Sequence, residues 1–105
     1  MTDLEIIRKT VEKNPKLIQL VIAAEECSEL VKAITKIIRF GETDENLTNL
    51  AEEMADVSIV LKELEYIFDN LVYVDVWRGE KLDRLKQRLN NSTINANGSN
   101  SHETI

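Results

Sequence analysis

Two short acidic motifs are the parts of this chain best suited to chemistry. The first reads EECSE over residues 25–29 and the second EEMAD over residues 52–56, so both place carboxylates at the same spacing. Carboxylate oxygens are the ligands that Mg²⁺ and Mn²⁺ prefer, and Mg²⁺ held by a few of them keeps positions open for water and substrate. Such a site commonly handles phosphate esters. The motifs therefore predict a divalent metal site.

A helical wheel turns both motifs inward. At about 100° per residue, Glu26 and Glu53 each lie in the middle of an apolar stripe, while Glu29 and Asp56 lie at the borders of these stripes. Cys27 lies among apolar residues on the same wheel, which predicts a core thiol. The apolar neighbours of Glu26 are Ile22, Ala23, Leu30, Ala33 and Ile37, and those of Glu53 are Leu50, Val57, Val60, Leu64 and Ile67.

The spacing of the motifs about Gly41 predicts that they meet. Gly41 is the midpoint of Glu26 and Asp56 and also of Glu29 and Glu53. In an antiparallel helical hairpin that turns at Gly41, these four carboxylates lie at two adjacent levels. Ionised carboxylates that leave water without a partner are destabilising, and neither apolar stripe contains a lysine. We therefore expect a cation between them, with Mg²⁺ preferred and Mn²⁺ as a substitute.

Four helices are predicted to position these residues. Pro and Gly are scarce before residue 90, whereas Leu, Ile, Glu and Lys are abundant. The predicted fold class is all-α, an antiparallel helical hairpin with flanking helices, of the four-helix-bundle type and completed by oligomerisation. The first helix begins at a Thr2-x-x-Glu5 capping box and ends before Asn14-Pro15, and the second covers about 16–40. The third is capped by Thr43 or Asp44 and ends near 69, and the fourth covers 71–89.

The composition divides the chain into a domain and a tail. Residues 1–90 are the predicted domain, and a domain this short buries only about 60% of its unfolded surface, which favours self-association. Residues 91–105 are rich in Asn, Ser and Thr. This segment is predicted to be a polar, flexible tail because it has too few apolar groups to offset its ordering entropy.

Composition also excludes several classes of protein. The 105 residues carry 13 Lys and Arg against 19 Asp and Glu, and a net charge of −6 argues against binding a nucleic acid polymer. No apolar run approaches the roughly 20 residues that cross a membrane, and the N-terminus lacks the layout of a secretory signal, so a cytoplasmic location is expected. One Cys and one His, at position 102, exclude a disulfide scaffold, a zinc finger and a Ser-His-Asp site.

The fourth helix is the basic part of the chain. Residues 71–89 hold five basic and three acidic groups, whereas residues 42–70 hold one and nine. Lys81, Arg84, Arg88 and Trp77 lie on one flank beside a stripe of leucines. From there the cations could meet polyphosphate oxygens and Trp77 could stack on a base.

The paired motifs resemble those of the MazG-like all-α nucleoside triphosphate pyrophosphatases, a group that includes dimeric dUTPases and phosphoribosyl-ATP pyrophosphohydrolases. The shared signature is Glu-Glu-x-x-Glu followed by Glu-x-x-Asp, here within AAEECSEL and LAEEMADVSIVL. The resemblance covers about residues 16–90 and is tightest over 23–61. The single-domain form, which closes on WRGEKLDRLKQRL, looks most like the short members often found in phages.

The resemblance implies an enzyme, a nucleoside triphosphate pyrophosphatase that hydrolyses an NTP or dNTP to a nucleoside monophosphate and pyrophosphate. It implies that Glu25 orders or deprotonates the attacking water, although the residues alone do not decide which carboxylate is the base. Lys81 and Arg84 fall where the family contacts phosphate, and Arg84 departs from the Asn that is common there. A homodimer or homotetramer is also implied. The positions that match the family's Mg²⁺ ligands are Glu26, Glu29, Glu53 and Asp56.

Three alternatives remain open at this point. A specialised member would act on deoxyuridine or deoxycytidine nucleotides, in the manner of a dUTPase or dCTPase. A non-catalytic helical module would keep the fold and serve in binding or regulation. The acidic motifs could also be the solvated surface of a structural bundle.

Overall fold

A computed structural model describes residues 1–94 of the chain as four α-helices, and no strand occurs within that range. The helices are α1 (Asp3–Lys13), α2 (Lys16–Phe40), α3 (Asp44–Phe68) and α4 (Leu71–Ile94). The predicted all-α class is therefore confirmed, while its completion by oligomerisation stays a prediction. None of the helices described is both long enough and apolar enough to cross a membrane.

The helix boundaries follow local chemistry that the sequence displays. The Thr2 hydroxyl accepts a hydrogen bond from the Glu5 amide at 3.1 Å, and the Thr43 hydroxyl accepts one from the Asn46 amide at 3.1 Å. Both threonines are thus N-caps, and the cap of α3 is Thr43 rather than Asp44. Gly41 ends α2 with φ +92°, a backbone conformation that favours glycine.

α2 and α3 form an antiparallel hairpin with the most extensive helix-to-helix contact in residues 1–69. Three small or medium apolar side chains, Ala23, Ala33 and Val60, are the buried hydrophobic residues of the described part. Small residues let two helix backbones approach closely, so facing polar side chains on α2 and α3 come within reach of each other. The predicted hairpin is present, with its turn at Gly41–Thr43.

α1 is held to both helices of the hairpin. Gln19 of α2 is only 3% exposed, and its Nε2 donates to the carbonyl oxygens of Thr10 at 3.0 Å and Val11 at 3.3 Å. These carbonyls lie in the last turn of α1, beyond the reach of N–H groups within the helix, although the N–H of the C-cap residue Asn14 also donates to the Val11 carbonyl at 3.4 Å. The Tyr66 hydroxyl of α3 donates to Glu12 Oε1 at 2.9 Å.

α4 belongs to a second compact unit that begins at Asn70, whereas residues 1–69 form the first. The helix continues to Ile94, into the first residues of the segment predicted as a tail. The rest of that predicted tail, residues 95–105, lies outside the described residues. Many apolar side chains of α4 are exposed, including Val72, Tyr73 and Trp77.

The prediction that Cys27 is a core thiol is wrong, because the side chain is exposed. Ile22 and Ile34, which share the broad apolar arc of the α2 wheel, are 41% and 45% exposed. The reason is geometric: α2 packs mainly against α3, and one neighbouring helix covers a narrower stripe than the sequence makes apolar.

The close approach at Ala33 generates a stability prediction. Ala33 is 0% exposed, so Ala33→Leu must push side chains out of their preferred rotamers or separate α2 from α3, at about 1–3 kcal/mol. Ala24→Leu, at an exposed position of the same helix, is the matched control and should change stability by no more than about 0.5 kcal/mol. Urea denaturation followed by circular dichroism measures both. Equal stability of the two variants would show that the helices are not close at Ala33.

Candidate metal centre

Three carboxylates from the two helices of the hairpin converge. Glu26 of α2 and Glu53 and Asp56 of α3 each offer one oxygen, and these three oxygens lie within 4.8 Å of one another. All three side chains are half-buried. We call these residues the acidic cluster. Their number and spacing mean that they could hold a metal ion, as the wheel and the midpoint at Gly41 predicted.

The cluster raises the pKa of Glu26. Removal of the carboxyl from water is the largest cause, followed by the negative charge of Asp56 and a hydrogen bond between the two carboxyl groups. The charges of Glu53 and Glu29 act in the same direction. All five of these effects raise the pKa, and no positive charge acts against them, so the charged form of Glu26 has no stabilising cation beside it.

Glu53 shows the same effect with one exception. Partial burial is again the main reason that its pKa is raised, and the charges of Asp56, Glu29 and Glu52 add to it. The Lys36 ammonium opposes them and lowers the pKa. Lys36 is therefore close enough to Glu53 for its charge to act on that carboxyl group.

Glu29 lies at the edge of the acidic cluster and is not one of its three members. Its Oε1 is 3.1 Å from the Lys32 ammonium, one turn further along α2. Its charge nevertheless raises the pKa of both Glu26 and Glu53, which places it near the same space. Glu25, the predicted base, is exposed on α2 beside Glu26. The structure thus brings together three of the four predicted metal ligands and leaves the fourth in an ion pair.

The predicted phosphate contacts, Lys81 and Arg84, lie in the second compact unit on α4. Lys81 is half-buried and lines a groove of about 640 Å³ on one face of that helix, together with Tyr73 and Trp77. Arg78 also lines this groove, whereas Arg84 is exposed and does not. α4 therefore places aromatic rings and cations on one face, with Arg78 and Lys81 at the groove and Arg84 outside it.

Sequence reasoning missed Lys36, which faces the start of α3. With Gly41 as the midpoint, position 36 of α2 is level with position 46 of α3, about two turns before Glu53. The same arithmetic that paired the acidic motifs could have found it. Lys36 lies outside both apolar stripes, which is where the sequence analysis expected any lysine that balances the carboxylates.

No family model, no curated protein and no solved structure matches the chain. The resemblance to the MazG-like enzymes therefore rests on the two acidic motifs alone.

The donor set fits a hard divalent cation. Carboxylate oxygens are the only ligand atoms that the acidic cluster offers, and Mg²⁺ and Mn²⁺ favour oxygen. Sulfur and imidazole, which zinc and copper favour, are absent from the three residues. A divalent ion would also remove the repulsion that raises the pKa of Glu26 and Glu53.

The raised pKa values generate a prediction about pH. Because Glu26 and Glu53 hold their protons more tightly in the fold than their ordinary value of 4.5 allows, the unfolded chain loses these protons first as the pH rises. The metal-free protein is then destabilised from about pH 4.5 upward, until the pH has passed the raised values. Glu53→Gln removes one carboxyl and relieves the other, so its stability should fall less over this range.

Urea denaturation in EDTA at a series of pH values from about 4 to 8 measures this difference. Other carboxyl groups titrate in both proteins, so only the gap between wild type and Glu53→Gln reports on the acidic cluster. A gap that stays constant across the range would contradict the repulsion described here.

Proposed function

We propose that this protein is a Mg²⁺-dependent nucleotide pyrophosphohydrolase, cleaving a nucleoside triphosphate to the monophosphate and pyrophosphate. The observation that carries the proposal is the convergence of Glu26, Glu53 and Asp56 from two helices, with oxygens within 4.8 Å of one another. The spacing of the two acidic motifs, which resembles that of MazG-like enzymes, supports the same reaction.

The acidic cluster has the role of holding the ion, with Glu29 available from the edge once it leaves Lys32. Bound Mg²⁺ would polarise the phosphoryl group, offset its developing charge and lower the pKa of a bound water. Glu25, exposed beside Glu26, is proposed to orient the attacking water and accept its proton. The water oxygen forms a bond to the α-phosphorus, and the bond from that phosphorus to the α–β bridging oxygen breaks. Pyrophosphate then departs with the bridging oxygen.

Substrate binding is assigned to the basic face of α4. Lys81 and Arg84 are proposed to contact phosphate oxygens, and Arg78 joins them because it lines the same groove as Lys81. Trp77 in that groove offers a surface on which a base could stack. Contacts of this kind would determine the preference for base and sugar, including a dUTPase-like or dCTPase-like specificity.

An assay with separate detection of the two phosphate products tests the proposal. A panel of NTPs and dNTPs with Mg²⁺ should yield monophosphate and pyrophosphate, without direct release of orthophosphate. Glu53→Gln should lower kcat by about 10²–10³-fold, the loss typical when one electrostatic stabiliser of a transition state is removed. Glu42→Gln removes an equal charge from the exposed turn after α2 and should leave kcat unchanged.

The results separate the alternatives. Orthophosphate as the direct product would place the cut at another bond. A Mg²⁺-dependent rise in melting temperature without hydrolysis of any substrate would favour a non-catalytic binding module. Indifference to Mg²⁺ in both measurements would indicate a structural bundle with an acidic surface.

We also propose that the active form is a homodimer or homotetramer. Large apolar side chains are exposed on the hairpin, among them Val31 at 62% and Ile38 at 77% on α2. No large side chain in the described part is fully buried. Burial between copies would remove such surface from water at about 25 cal/mol per Å².

Sedimentation equilibrium measures this directly. The mass should be two or four times the 12.0 kDa of one chain. Ile38→Glu places a charge in the apolar surface of α2 and should weaken the association, whereas Lys9→Glu on α1 should not. A wild-type mass of 12.0 kDa at micromolar concentration would contradict the proposal.

A further inference from the structure

A polar cleft of about 440 Å³ opens beside the acidic cluster, between the end of α2 and the start of α3. Lys36 lines it from α2, and Asn49 and Glu52 line it from α3. Glu52 directly precedes Glu53, and Asn49 lies one turn before Glu53 on the same face of α3. The cleft therefore lies on the Gly41 side of the acidic cluster and begins within one turn of Glu53 along α3.

Lys36 is the cation of this cleft. Its side chain is exposed, and within residues 1–94 no carboxylate lies within ion-pair distance of it, although carboxylates line the same cleft. The neighbouring Lys32, in contrast, is 3.1 Å from Glu29. Lys36 thus keeps its ammonium donors available in the cleft, and its charge acts on Glu53.

The charges of the cleft determine what it can bind. Asp44, Glu45 and Glu52 also line it, so a free anion is repelled by the cleft as well as by the acidic cluster. An anion that arrives with a divalent cation brings the compensating charge to the acidic cluster and offers its remaining oxygens to Lys36. A metal-bound polyphosphate has this form, and lysine is a common point-charge donor to phosphate.

We propose that Lys36 is a substrate-binding residue that contacts the polyphosphate of a metal-bound nucleotide held at the acidic cluster. This inference rests on the proposed function. It differs from the assignment of Lys81 and Arg84 because it places a phosphate contact within the hairpin itself, on the same helix as Glu26.

The position of Lys36 gives its removal two effects of opposite sign. Loss of the ammonium removes a donor from bound polyphosphate, so binding of that anion weakens. The same loss removes a positive charge near the cation site, so binding of Mg²⁺ alone stays equal or becomes tighter. A lysine that merely supports the fold would not produce this combination.

Calorimetric titration of the full chain tests both effects. The variants are Lys36→Gln, Lys36→Arg and, as a matched control, Lys9→Gln at an exposed position of α1. The probes are Mg²⁺ alone and magnesium tripolyphosphate, which carries no base. Lys36→Gln should weaken tripolyphosphate binding by about 10- to 100-fold, the range for a hydrogen bond to a charged group. The affinity of Lys36→Arg for tripolyphosphate should stay within a few-fold of the wild-type affinity, and that of Lys9→Gln should equal the wild-type affinity.

Each outcome decides the proposal. Unchanged tripolyphosphate affinity in Lys36→Gln overturns the role of Lys36 and leaves the proposed function intact. Parallel loss of Mg²⁺ and tripolyphosphate binding in Lys36→Gln assigns the residue to the structure of the hairpin and also overturns it. Failure of the wild type to bind Mg²⁺ overturns both this inference and the proposed function. Weakened anion binding with retained Mg²⁺ binding, rescued by Lys36→Arg, supports it.

Discussion

Three carboxylates repel one another where α2 and α3 meet, and the packing of the hairpin has to hold them together. At the separations found for Glu26, Glu53 and Asp56, like charges interact strongly once water is partly excluded. In the protein alone, this repulsion helps to raise the pKa of Glu26 and Glu53. A bound divalent cation would also reduce this repulsion. Stability of the metal-free fold and readiness to bind a cation are therefore opposed at this one place.

The hairpin keeps the carboxylates together against their repulsion. Ala23 and Ala33 lie three residues before and seven after Glu26, on the same face of α2, and both are buried. Their small size allows α3 to approach. The turn is tied as well, since Asn46 Nδ2 donates to the Gly41 carbonyl at 3.0 Å. Close packing on both sides of Glu26 thus sets a separation that the carboxylates alone would not adopt.

Charge around the acidic cluster is graded along α2. Glu29 is paired with Lys32, one turn beyond the cluster, while Lys36 lines the cleft that follows. The acidic cluster therefore carries unbalanced negative charge, and the Lys36 ammonium in the cleft is available to a ligand. The acidic cluster and an exposed ammonium therefore lie on one hairpin, and apolar side chains of α2 are exposed on the same helix.

The amino-acid sequence alone was enough to predict the four helices and the inward orientation of the acidic motifs. Caps at Thr2 and Thr43 and the stop at Gly41 are local signals, and helices built from strong helix formers follow them closely. The inward placement of Glu26 and Glu53 follows from helical periodicity. The end of α4 was predicted less well, because the polar residues after position 89 carry no stop signal such as Gly or Pro until Gly98.

Tertiary structure decided which side chains within the broad apolar arcs are covered and which carboxylates meet. Cys27 and Ile34 have the same periodicity as core residues yet are exposed. α2 has one main neighbouring helix, and periodicity does not tell how broad a face of α2 that helix covers. Glu29 has the spacing of a ligand but pairs with Lys32, whose ammonium lies 3.1 Å from its Oε1. Helical spacing is a property of one chain segment, whereas coverage and pairing depend on distances between segments, which only the packed helices set.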